Sequence, residues 1–212
     1  MERIPFELIT EVPPITRYWS IGVVALAALE KYGFLSSLDL LYSFDSVFRN
    51  SQYWRLITTF FYFGSLNFDL FFVLFFMVRY SRSLEENISR SRDYLWILFI
   101  NSVLLIIYSS FIYPLSKLGP KLQEAIIYIW SRRNPNVRLQ LFGIIEFSAA
   151  YLPFFYAIFN HLLRQLPLRG TLVDIIIGHI YFYFQDIFPK IHGYYPFNPP
   201  WKWVWVQNRL NH

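Results

Sequence analysis

The chain has 212 residues, 55% of them hydrophobic and 22% aromatic, with a net charge of +5. That apolar share exceeds the roughly 45–50% of a soluble domain and is gathered in blocks, which points away from an ordinary water-soluble core and toward a membrane protein. The lysines and arginines lie between the blocks rather than along one stripe, which argues against a nucleic-acid partner, and the absence of cysteine excludes disulfides and thiolate metal sites.

The opening MERIPFELITEVPPITRYW mixes acids, bases and prolines and lacks a basic flank leading into a short apolar core. A cleavable signal peptide is therefore not expected, and the first span itself is expected to direct insertion. Apolar segments follow at about Trp19–Phe34, Leu66–Val78, Tyr94–Tyr113, Leu118–Trp130, Gly143–Leu163 and Thr171–Phe188. They predict an all-α membrane protein with a six-helix bundle over residues 1–189 and a short aromatic-rich tail over 190–212. The second and fourth segments are shorter than the ~20 residues a helix needs to cross a standard bilayer. Such segments either thin the lipid around them or lie inside the bundle.

Placing the N-terminus in the cytosol puts twelve of the nineteen lysines and arginines on the cytosolic side, concentrated in the loops RYSRSLEENISRSR and SRRNPNVR. The positive-inside rule then predicts both termini in the cytosol and the loop Leu35–Asn50 on the far side. At the mouth of the second segment, QYWRLITTFFYFG places Arg55 directly behind Trp54. Two readings stand open: a charge snorkelling to the headgroups beside an aromatic belt residue, or a pair that holds the first loop against the bundle. In the next loop, Arg82 and Glu85 or Glu86 have spacings that suit exposed helical ion pairs.

Polar residues inside spans carry a functional expectation by default. Those here are Asn67, Asp69, Asn101, Glu124, Glu146, Asn160, Asp174, His179, Gln185 and Asp186. Hydrogen bonding between helices accounts for many of them; a water-facing recess would account for the rest. Asp174 and His179 lie five residues apart, about 140° around one helix, so they are not expected to form one patch. No helical i, i+4 ligand pair accompanies His161 or Glu146, and no metal, nucleotide or cofactor motif is present. Trp201, Trp203 and Trp205 beside Lys202 are expected to form an interfacial belt.

Several strings together resemble the derlins, inactive members of the rhomboid superfamily. They are PPITR (Pro13–Arg17), YWRLITTFFYFG, RYSRSLEE (Arg79–Glu86), YIWSRRNPNV (Tyr128–Val137), YLPFF (Tyr151–Phe155) and GHIYFYFQDIFP (Gly178–Pro189). They occur in family order over about residues 13–189. The resemblance implies a rhomboid-like pseudoprotease of the endoplasmic reticulum membrane that helps move misfolded luminal or membrane proteins to the cytosol. It further implies a membrane ubiquitin ligase complex, misfolded clients and a cytosolic AAA+ ATPase as partners, with the lipid bilayer around the bundle and self-association left open.

Two departures from the family pattern bear on that expectation. The Gly-xxx-Gly pair of the last span reads Asp174 and Gly178, which calls the closeness of that helix contact into question. The tail WKWVWVQNRLNH lacks a short glycine-containing ATPase-docking motif, so contact with the ATPase is expected to be indirect. By the same resemblance Trp54 and Arg55 shape the luminal rim. Asn67, Asp69, Asn101, Glu146, Asn160, Asp174, His179 and Gln185 are the candidates to line a half-channel, where lowered membrane thickness would ease passage of a polar chain.

Three other functions compete. A rhomboid protease needs a serine in a Gly-x-Ser-Gly turn and a histidine to take its proton. No such turn occurs, and Ser148 has no glycine frame, so no catalytic residue is assigned. A small-solute transporter would need a midplane site built from repeats, and no repeat is visible. A scaffold for the ligase complex overlaps with the leading reading.

Overall fold

The computed structural model describes residues 12–141, 145–164 and 168–203. It is predominantly helical. Helix α1 (Pro14–Lys31) opens on proline, whose missing N–H is not needed in the first turn. Its buried residues Thr16, Trp19, Val23 and Ala27 form one stripe at helical spacing. The connection that follows is irregular. It contains the single turn α2 (Ser37–Leu40), a π-helical turn at Asp45–Arg49 and the single turn α3 (Arg55–Thr58).

Helix α4 (Phe68–Glu86) starts where the Asn67 side chain accepts the N–H of Leu70 at 2.9 Å. Helix α5 (Ser91–Phe111) runs back and shows Leu95, Phe99, Val103 and Ile107 on an exposed stripe four residues apart. Among the described residues it is the one helix that by length and composition suffices to cross a membrane. Helix α6 (Leu118–Arg133) is the centre of the bundle, packing against α4, α5 and the two later helices, with Leu122, Ile126, Ile127 and Ile129 almost wholly buried.

The segment after α6 departs from the expected fifth span. Residues Arg138–Leu141 and Ile145–Ser148 form an antiparallel hairpin, β1 and β2, with Leu139 opposite Phe147 and Gln140 opposite Glu146. The expected start of that span, Gly143, lies outside the described residues. The physical reason for the difference is in the sequence: Val137, Leu139 and Leu141 alternate with polar or basic residues at period two, which is strand patterning. Among the described residues the fold is thus predominantly helical with one antiparallel strand pair rather than all-α. Helix α7 is confined to Leu152–Arg164, and α8 spans Leu168–Phe182.

Glycine at 178 lets α8 lie close on α6. A Cβ there would meet the Ala125 carbonyl oxygen at 2.9 Å and the Tyr128 ring at the same distance, so even alanine would force the helices apart. Asp174, one turn earlier, does not open the contact because it is engaged by Lys121 of α6. A π-helical turn (Tyr183–Ile187) leads to α9 (Phe188–His192), which Gly193 closes at φ 68°. The following segment folds back on the bundle rather than lying apart from it. Trp96 donates to the Phe197 carbonyl at 2.9 Å, and Phe197 stacks on Tyr181 and meets Phe184 edge-on.

Candidate functional site

Arg55 sits at the start of α3 with only 6% of its surface exposed, whereas Trp54 beside it is 54% exposed. The guanidinium is turned inward toward the irregular connection. Its Nε donates to Gln52 Oε1 at 2.6 Å. One terminal nitrogen donates to the carbonyls of Leu38 and of Leu41, the latter at 2.8 Å, and the other reaches Asp39 Oδ1 at 3.3 Å. Leu38, Asp39 and Leu41 all belong to α2 or its end, where short helices leave carbonyls without intrahelical partners. One planar fork therefore ties fourteen to seventeen residues of loop to α3.

Further contacts tie the connection and the chain after α3 to the helices. The Trp19 indole N–H donates to the Phe60 carbonyl, Tyr42 and Ser110 share a hydroxyl hydrogen bond at 2.6 Å, and Gly119 N–H donates to the Thr59 carbonyl.

A second polar group lies within the bundle. Lys121 Nζ is 2.8 Å from Asp174 Oδ2, 3.4 Å from Glu124 Oε2 and 3.0 Å from the Gly170 carbonyl. Glu124 Oε1 accepts from Asn160 Nδ2 at 2.9 Å. Three helices, α6, α7 and α8, thus meet through polar side chains, of which Glu124, Asn160 and Asp174 are buried and Lys121 half-buried. Asn160 and Asp174 are brought together here, with Glu124 between them and Lys121, which is not among the sequence candidates, contacting both carboxylates. The i, i+3 spacing of Lys121 and Glu124 was the available signal.

The other candidates lie apart. Asn67 caps α4, and Asp69 is exposed in the first turn of that helix. Asn101 is fully buried and its Nδ2 donates to Ile97 of its own helix at 2.8 Å. Glu146 is not in a span at all: it is exposed on β2 and hydrogen-bonds Gln140 across the hairpin. His179 Nδ1 shares a hydrogen bond with the Tyr128 hydroxyl at 2.8 Å. Gln185 lies in the π-helical turn after α8. Ser148 Oγ donates to the Pro135 carbonyl, so Ser148 and His179 serve different partners.

At the opposite end from Arg55, Glu85 departs from its expected surface role. It is 3% exposed, and its carboxylate accepts the backbone N–H groups of Ile15 and Thr16 at 3.1 and 2.8 Å and the Thr16 hydroxyl at 2.8 Å. An anion there meets the donors and the positive dipole end of α1. The ion pair to Arg82 is made by Glu86 instead, at 2.7 Å. Thr16 also bonds Ser81, which bonds Tyr94, and Trp130 donates to Ser83 at 2.8 Å.

Arg133 forks onto Asp186 with contacts of 2.9 to 3.3 Å. Asp93 accepts from the Trp201 indole at 2.7 Å and from Lys202 at 2.6 Å, with Arg92 over the Trp201 ring. Burial opposes ionisation of Asp93, but the Lys202 and Trp201 hydrogen bonds and the Lys202 and Arg92 charges outweigh it and hold the carboxyl below its ordinary range. Trp201 is therefore packed on the bundle rather than held out as a belt residue; Trp205 lies outside the described residues.

These contacts join the recurring strings to one another. PPITR meets RYSRSLEE through Thr16 and Glu85, YIWSRRNPNV meets RYSRSLEE through Trp130 and Ser83, and it meets GHIYFYFQDIFP through Arg133 and Asp186. The model of the Der1-like family matches residues 12–201. The chain belongs to the Der1-like family. It is 34% identical over 196 residues to a probable derlin-2 homolog of Dictyostelium discoideum, covering 88% of this chain and 77% of that one. It is 27% identical over 204 residues to Degradation in the endoplasmic reticulum protein 1 of Saccharomyces cerevisiae, covering 96% and 97%. Derlin-1.2 of Zea mays is 29% identical over 205 residues, covering 94% and 83%. The match to the family model includes Trp201, so the folded-back segment belongs to the family region.

Proposed function

We propose that this Der1-like chain is a non-catalytic component of endoplasmic-reticulum-associated degradation, embedded in that membrane by several spans with both termini in the cytosol. Its work is to help misfolded luminal or membrane proteins reach the cytosol through a half-channel beside locally thinned lipid. The name of the Saccharomyces cerevisiae relative supports the degradation role. The observation that carries the mechanistic part is the buried guanidinium of Arg55, which engages Gln52, Leu38, Leu41 and Asp39 around one point.

A charge is costly to bury without partners, so a guanidinium with four acceptors fixes the shape of the connection that supplies them. On this reading the connection forms the luminal rim, with exposed Trp54 facing lipid headgroups at its edge. The Lys121–Glu124–Asn160–Asp174 group supplies polar partners inside the bundle, lowering the cost of a polar chain passing through hydrocarbon. Clients arrive from the lumen or membrane, a membrane ubiquitin ligase complex modifies them, and a cytosolic AAA+ ATPase supplies the energy of extraction.

The test is a chase of a misfolded luminal client in cells that carry Arg55→Lys or Trp54→Ala, with the level of each variant followed in parallel. Slowed clearance at normal abundance is expected. Clearance at the parental rate in both variants would reduce the pair to a membrane-interface anchor.

A further inference from the structure

The outer face of α4 carries a feature that the degradation role does not use. Phe71, Phe75, Val78, Arg82 and Glu86 recur along it at positions that fall on one side of a helix, with Arg79 adjoining. With Leu74 and Ser83 they line a shallow, open groove of about 650 Å³ whose lining residues all belong to α4. Phe71 and Phe75 are 63% and 52% exposed, so among the described residues nothing covers the apolar end.

At the other end are two guanidinium groups. Arg79 contacts the ring of the adjacent Tyr80 at 5.9 Å and has no carboxylate in ion-pair distance among the described residues. Arg82 uses its Nε on Glu86 at 2.7 Å, which leaves its two terminal amino groups uncommitted among the described residues. The face is thus apolar for its first part and carries one net positive charge at its end.

We infer that this groove binds one phospholipid, its acyl chain along Phe71, Phe75 and Val78 and its anionic headgroup on Arg79 and Arg82. The inference rests on the reading that the bundle is embedded in a membrane. Length supports it. From Phe68 to Val78 the helix rises about 15 Å at 1.5 Å per residue, the half-thickness of a ~30 Å hydrocarbon core. An acyl chain of one leaflet therefore ends near the start of α4 when its phosphate lies at Arg79. Guanidinium forks suit phosphate oxygens, and the net charge of the face favours a headgroup with net negative charge over a zwitterionic one. A lipid held there would fix the headgroup level beside a helix whose apolar part spans about one leaflet.

The experiment uses the full chain reconstituted in nanodiscs of phosphatidylcholine with a minor share of phosphatidylinositol. Lipid that stays on the protein after transfer to mild detergent is then measured by mass spectrometry. Retained lipid should be enriched in phosphatidylinositol by up to about 30-fold, the equivalent of about 1 kcal/mol per arginine. The Arg79→Gln/Arg82→Gln chain should fall to near parity, Arg79→Lys/Arg82→Lys should keep most of the enrichment, and Lys190→Gln should keep all of it. No enrichment in the unaltered chain, or equal enrichment in the doubly glutamine-substituted chain, overturns the proposal.

A photo-crosslinker in place of Phe75, with both arginines intact, gives an independent measurement that needs no charge variant to fold. It should capture phospholipid; capture of polypeptide alone would assign the groove to a client segment and also overturn the proposal. Neither readout involves client clearance, and resistance of the protein to alkaline extraction from membranes checks separately the reading on which the inference rests.

Discussion

The two ends of the bundle are held by opposite kinds of electrostatics. At one end Arg55 is a single buried cation that gathers acceptors from an irregular connection, two of them backbone carbonyls. At the other, Glu85 gathers donors from a helix start, Arg133 of α6 pairs with Asp186 in the π-helical turn and Asp93 of α5 pairs with Lys202 in the folded-back segment, so charge meets charge or dipole on side chains carried by helices. The difference teaches where shape is set locally and where it is set by helix packing. Removing one partner from the helical end breaks a joint between helices that remain helices. Removing Arg55 takes away what gives the connection its course, because α2 and α3 are single turns that cannot persist unaided.

The largest expected effect at the helical end is at Glu85. Glu85→Ala takes the acceptor away from three donors, two of them buried, and should destabilise the protein by about 2–4 kcal/mol, since each buried donor left unsatisfied costs about 1–3 kcal/mol. A steep fall in steady-state abundance and in the thermal midpoint in detergent would show it. If Glu85→Ala is as abundant and as stable as the parent, the joint between α1 and α4 does not carry the helical end.

The Arg133–Asp186 pair is about a quarter exposed on each side. Solvent screening reduces its worth, and a double-mutant cycle of Arg133→Gln with Asp186→Asn should give a coupling of about 1 kcal/mol. A coupling near zero would remove this pair from the comparison.

The Asp93 clasp should respond to pH in one direction. Its carboxyl is held below the ordinary aspartate value of about 3.9, so the stability it contributes is fully present above that value and is lost as pH falls through the lower folded value. Trp201 emission, read with the other tryptophans replaced by phenylalanine, should hold steady from neutral pH to about 5 and change only below about 4. A transition between pH 5 and 7 would contradict the assignment.

The smallest effect is at Glu86. Its ion pair with Arg82 is exposed on both sides, at 40% and 48%, and Glu86→Gln should cost no more than about 0.3–0.5 kcal/mol. A loss comparable to that in Glu85→Ala would mean that the two adjacent carboxylates do not divide their roles as described.

What could be read in the sequence follows from the range of the interaction. Apolar blocks placed α1, α4, α5 and α6 near their observed positions, because burial in a bundle or in lipid depends on local composition. The hairpin at 138–148 was missed by extending one apolar run from Gly143 to Leu163, although the alternation around Leu139 and Phe147 is a local signal that could have revealed it. Glu85 and Glu86 cannot be told apart from spacing alone. Both suit Arg82, and what selects Glu85 for burial is a helix start 69 and 70 residues away. Lys121 escapes notice for the same reason, its partner Asp174 being 53 residues distant. Arg55 was singled out by the cost of a charge at the mouth of an apolar run, but its acceptors in Leu38 and Leu41 are backbone atoms that no side-chain pattern displays.

The central claim is that the Arg55 guanidinium, through directed hydrogen bonds, shapes the connection between α1 and α4. Lysine keeps the charge and the apolar stem but cannot present a planar fork, so Arg55→Lys separates geometry from charge. Amide hydrogen exchange over residues 36–52 in the full chain in nanodiscs measures the connection directly. Faster exchange is expected there in Arg55→Lys, with protection of α5 and α6 unchanged. Exchange over 36–52 equal to that of the parent would contradict the account.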